Sequence, residues 1–104
     1  FSEAAREHYS KLYALPGAMH SGFAQFAAFD QDAVDNREFM ARGKLKMPVL
    51  AIGGEKSFGV GVADIMRHAA SDVRADVIPD SGHWIMEEQP AQTVSKVRAF
   101  LDGK

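Results

Sequence analysis

The stretch "IPDSGHWIMEEQP", residues 78–90, sets a histidine between a glycine and the only tryptophan of the chain. His83 follows an apolar run and precedes a helix start marked by Pro90, so we expect it on a strand-to-helix loop. An imidazole titrates near neutral pH, and one held on such a loop can serve as a general base. To shuttle a proton well it needs a nearby carboxylate that fixes its tautomer. Spacing alone leaves the other reading open, in which His83 is an ordinary loop residue and Trp84 a packing anchor.

The elements that must carry this loop are legible from periodicity. Residues 2–14 read as an amphipathic helix with Ser2 as N-cap and Ala5, Tyr9, Leu12 and Tyr13 on one stripe. Residues 18–29 read as a second helix with Met19, Phe23, Phe26 and Phe29 on one side, and a polar stretch then leads into a short third helix that stops at Gly43. After Lys46 the texture changes. "MPVLAIGG" is apolar on both faces and predicts a parallel strand. A helix follows over 60–70, with Val62, Ile65, Met66 and Ala69 as its stripe, and then a strand, "VRADVIPD". The final helix, from Pro90, has Val94, Val97 and Leu101 as its apolar side.

The expected fold is therefore α/β: helices first, then β-α-β-α. We place the boundary at the basic "GKLKM", giving segments 1–43 and 44–104. In an open α/β sheet, ligands bind beyond the carboxyl ends of the strands. Those ends carry "GGEKSFG" and "PDSGHW", which lie side by side if the two strands are neighbours.

The bulk numbers narrow the class. At 104 residues, 46% hydrophobic, 25% charged and 10% aromatic, the chain suits one small globular unit. A formal charge of −2 offers no electrostatic case for nucleic acid or an anionic membrane. No apolar run approaches the roughly 20 residues that span a bilayer. Zero cysteines exclude disulfides, thiolate nucleophiles and cysteine-based zinc sites, and fit a cytoplasmic protein. The chain opens on Phe1 with no leader pattern, so we expect it to continue a longer protein. No histidine–carboxylate spacing suits a metal. His8, His20 and His68 are expected at surfaces, and Glu87 and Glu88 are expected to complement the dipole of a helix start.

"PVLAIGGEKSFG" followed by "VIPDSGHWIMEEQPAQTVSKVRAFL" resembles the C-terminal end of an α/β-hydrolase. The branch it is most similar to holds the epoxide hydrolases and haloalkane dehalogenases. There a D-x-G-H-W segment after the last strand carries the catalytic histidine, which corresponds to His83. "YALPGAMHSGFAQFAAFDQDAVDN" resembles the end of the family's helical cap. The resemblance implies a hydrolase of a small organic substrate (epoxide, halide or ester) with no cofactor and no metal. Phe23, Phe26 and Trp84 would line the pocket. Where many relatives carry the histidine's acid partner, this chain has Ser57; Glu55 is the local substitute, and some relatives take the acid from an earlier strand. The nucleophile elbow and the oxyanion loop do not occur in these residues. The cap tyrosine of epoxide hydrolases falls at Phe26, which has no hydroxyl and shifts weight towards dehalogenation or ester cleavage. We therefore expect the 104-residue chain to be inactive by itself. The alternative is a truncated, non-catalytic α/β module that forms homo-oligomers through an open sheet edge.

Overall fold

The computed structural model describes residues 1–103. It divides into two compact units, Phe1–Arg42 and Gly43–Lys104.

The first unit is three helices: α1 (Glu3–Tyr13), α2 (Ala18–Ala27) and α3 (Phe29–Ala41). Ser2 caps α1 by accepting from the amide of Ala5, and Glu3 sits in the first turn, where its charge suits the dipole. Gly17, at φ 82°, supplies the left-handed turn between α1 and α2. The third helix begins at Phe29, earlier than the polar residues after it suggest, because Ala28 closes α2 and opens α3 with no breaker between them. None of the three helices contains a buried residue.

The second unit runs β1 (Leu45–Gly54), α4 (Gly61–Ala69), β2 (Ala70–Ile78), α5 (Ile85–Glu88) and α6 (Pro90–Leu101). The two strands pair in parallel, with Val49 opposite Val73 and Gly54 opposite Ile78. β2 starts at the end of α4, before the apolar alternation begins, because Ser71 ties the edge by donating its hydroxyl to the Leu45 carbonyl at 3.0 Å. The core is small: Ala51, Ala63, Ala70 and Ile78 are its buried apolar side chains. On α4, Ala63 is the buried residue while Ile65 stands exposed. The expected stripe of α6 is likewise uncovered, and Leu101 is 74% exposed. Polar and ring contacts tie α6 to β2 instead, through the Lys96–Asp76 ion pair and Arg74 over the Phe100 ring.

Thr93 anchors α6 to the turn before it. It is buried, and its hydroxyl shares its proton between the carbonyls of Ile85 at 3.0 Å and Gln89 at 2.9 Å. Both carbonyls also accept backbone amides, so losing the hydroxyl strands neither. Thr93→Val is therefore expected to lower stability by only about 1 kcal/mol, the net worth of one hydrogen bond. Chemical unfolding checks this; a loss several times larger would mean the hydroxyl holds more than this turn.

Candidate functional site

Both strands end at the same place, because a parallel pair in register delivers its two carboxyl ends together. The loops beyond them are stitched by backbone hydrogen bonds. The Glu55 amide donates to the Ile78 carbonyl at 3.0 Å, and the Lys56 amide to the Ser81 carbonyl at 2.9 Å. Ser81, fully buried, donates its hydroxyl back to the Ile78 carbonyl at 2.9 Å. Asp80 takes a left-handed conformation, φ 53°, which a short polar side chain tolerates. Its carboxylate pairs with Lys56 at 3.0 Å, and this partner holds the Lys56 ammonium above its ordinary pKa.

The two glycines that end β1 now have a physical reason. A β-carbon on Gly53 would lie 2.1 Å from the Gly59 carbonyl oxygen, and one on Gly54 would lie 1.8 Å from that of Gly82. Only hydrogen side chains let the two loops close this tightly.

His83 lies on the second loop with its side chain exposed. It borders a cavity of about 120 Å³ that Gly54, Ser57, Phe58, Val62 and Ile85 also line. The structure thus brings Ser57 and His83 to one small recess. Trp84 stands beside the imidazole edge-to-face, ring centroids 5.1 Å apart, but is 59% exposed and does not wall the cavity. Glu55 is turned elsewhere: its carboxylate accepts the Asp80 amide at 2.9 Å, bracing the left-handed turn. Among the described residues, nothing hydrogen-bonds the His83 imidazole. Phe23 and Phe26 lie on α2 in the other unit, each more than half exposed. Among the described residues no cluster of histidine and acidic side chains could hold a metal ion, and no helix is long and apolar enough to cross a membrane.

Glu88 has a part that the dipole reading missed. Residues 85–88 form a short helix of their own, too brief to show a period, and Glu88 lies at its end. From there its carboxylate reaches back to accept the amides of Gly82 at 2.8 Å and Trp84 at 3.0 Å. The faint signal in the sequence was the spacing, a glutamate five residues after the histidine and two before Pro90.

These two amides hold the Glu88 carboxyl below its ordinary pKa; desolvation opposes them and Lys56 adds to them. A carboxylate with a depressed pKa stabilises fully above its unfolded value and loses that contribution as the pH falls through the folded one. Amide exchange at Gly82 and Trp84 should therefore stay protected through neutral pH and open only in acid, below the ordinary glutamate range. Opening near neutral pH would contradict this.

Known proteins are similar to this chain in sequence and in fold. No family model matches the chain. A soluble epoxide hydrolase of Corynebacterium sp. (strain C12) is 28% identical over 101 residues, which cover 97% of this chain and 35% of that protein. Cfl2 of Burkholderia cenocepacia superposes with a TM-score of 0.90 at 36% identity, over 96% of this chain and 34% of that one. The epoxide hydrolase CorEH gives a TM-score of 0.90 at 26% identity, over 99% of this chain and 36% of its own. The chain thus spans about a third of the length of these relatives. Its fold is that of the C-terminal part of an α/β-hydrolase, and the proteins it is similar to include epoxide hydrolases.

Proposed function

We propose that this segment supplies the catalytic base, His83, to an α/β-fold hydrolase acting on a small organic substrate: an epoxide, a halide or an ester. The observation that carries the reading is the place of His83, exposed beside a recess where two parallel strands end together. The likeness to epoxide hydrolases supports the reaction class.

The chemistry follows from what an imidazole can do. With a carboxylate nucleophile, a carboxylate oxygen bonds to carbon as the epoxide C–O or the C–halogen bond breaks, leaving a protonated ring oxygen or a free halide and a covalent ester. His83 then takes a proton from water, the hydroxide adds to the ester carbonyl, and the alcohol leaves with the proton that the imidazolium returns, which restores the carboxylate. With a serine nucleophile, His83 takes the hydroxyl proton and later returns it to the leaving group. Trp84 packs beside the ring, in an edge-to-face contact. Glu55 accepts the Asp80 amide with one oxygen, and we place the partner that holds the imidazolium in another segment of the hydrolase.

The test is intact mass spectrometry of the complete hydrolase and its His83→Gln variant with styrene oxide, 1-chlorobutane and p-nitrophenyl acetate. On the carboxylate route the variant accumulates a covalent adduct of the epoxide or alkyl halide that the parent clears. On the serine route it fails to acylate with the ester. A variant that turns over all three probes like the parent would refute the role.

A second reading has an observation of its own. Among the described residues the sheet has two strands, and Leu45 and Met47 of β1 are 46% and 57% exposed. A non-catalytic module could pair with a second copy along that edge. A monodisperse dimer of the 104-residue chain in size exclusion supports this; a monomer counts against it.

A further inference from the structure

We infer that Glu88 is the positioning residue for His83: its carboxylate straps the backbone on both sides of the histidine and so sets where the imidazole stands. The inference rests on reading His83 as the general base and deepens it.

The geometry is specific. One carboxylate oxygen of Glu88 accepts the Gly82 amide at 2.8 Å and the other accepts the Trp84 amide at 3.0 Å. These are the residues immediately before and after His83. Hydrogen bonds to an ionised acceptor are roughly twice as strong as neutral ones. Glycine at 82 makes the approach easy, since a β-carbon there would already lie 3.3 Å from the carboxylate. The anchor is closed at its other end too, because the Glu87 and Glu88 amides both donate to the Trp84 carbonyl, each at 2.9 Å. Histidine and glutamate thus sit in one small hydrogen-bonded ring of backbone and side chain.

Among the described residues the imidazole has the Trp84 ring beside it and no hydrogen-bond partner. Its place is therefore set by the backbone at 82–84, on which Glu88 holds the residues on either side. A base misplaced by about 1 Å can cost on the order of 100-fold in rate.

The experiment compares Glu88→Ala and Glu88→Gln with the parent in the complete hydrolase, on the probe that the parent turns over. Glu88→Ala should lower kcat about 10- to 100-fold with KM within about threefold, and leave the far-ultraviolet circular dichroism unchanged. Glu88→Gln keeps one acceptor but turns an amide group on the other N–H, so its loss should be intermediate. In both variants the amide protons of Gly82 and Trp84 should move upfield. Parental kcat in Glu88→Ala overturns the inference, as does a loss that merely follows the folded fraction. If Glu88→Ala does not fold, parental kcat in the near-isosteric Glu88→Gln overturns it. The two levels separate cleanly. Parental kcat in His83→Gln sinks the reading of the base and the inference with it. An inactive His83→Gln beside a fully active Glu88→Ala sinks the inference alone.

Discussion

On the proposed reading, His83→Gln in the complete hydrolase is expected to lower kcat by at least about 1,000-fold while leaving thermal stability almost unchanged. Positioned acid–base catalysis contributes about 10²- to 10⁴-fold; without the base the carboxylate route stalls at the covalent ester and the serine route loses its nucleophile. The structure explains why stability should not follow. The side chain is exposed, makes no hydrogen bond among the described residues and lies outside the core. The backbone of its loop is held by Glu88 and Ser81, which the substitution spares. Kinetics and calorimetry on the same preparation check both halves. A large fall in melting temperature would recast His83 as structural, and an unchanged kcat would remove it from the chemistry.

Gly54→Ala is expected to destabilise the second unit by about 3 kcal/mol, the upper end of ordinary overpacking. The added methyl would lie 1.8 Å from the Gly82 carbonyl oxygen and 2.8 Å from that of Ser81. Neither obstacle is a flexible side chain. Both are backbone, pinned by the Lys56 amide to Ser81 and by Glu88 to Gly82. The strand end and the histidine loop must therefore separate, and activity should fall with stability. Gly61→Ala is the internal control, since a β-carbon there meets nothing within 4 Å and alanine restricts the unfolded chain, worth about 0.4–1 kcal/mol. Urea unfolding of the two variants should give opposite signs. A neutral Gly54→Ala would show that the loops do not close as described.

Together the two substitutions show what was and was not legible in the sequence. The α/β order and the parallel strands follow from hydrophobic texture, which reports burial along a chain. The meeting of "GGEKSFG" and "PDSGHW" followed once the strands were taken as neighbours, and the register confirms it. Other features depend on contacts between distant residues, which no local pattern encodes. Gly53 and Gly54 read as a strand end, yet their requirement comes from carbonyls at 59 and 82. The early start of β2 depends on Ser71 reaching Leu45. Glu88 looked like helix-dipole decoration and is the strap of the loop. Glu55, the nearest local acid for His83, has a contact that its place in the sequence does not show, the Asp80 amide. The uncovered stripe of α6 shows the converse, an apolar pattern with no surface against it in this chain.

The most direct test of His83 as the base is chemical rescue. In the complete hydrolase, His83→Ala leaves space beside the recess, and added imidazole can take the missing proton. The account predicts a slow variant whose turnover rises saturably, by about tenfold or more, with millimolar imidazole, consistent with the size of a general-base contribution. Glu88→Ala, which keeps the base, should gain nothing from the same addition. A His83→Ala variant as fast as the parent without imidazole would contradict the account.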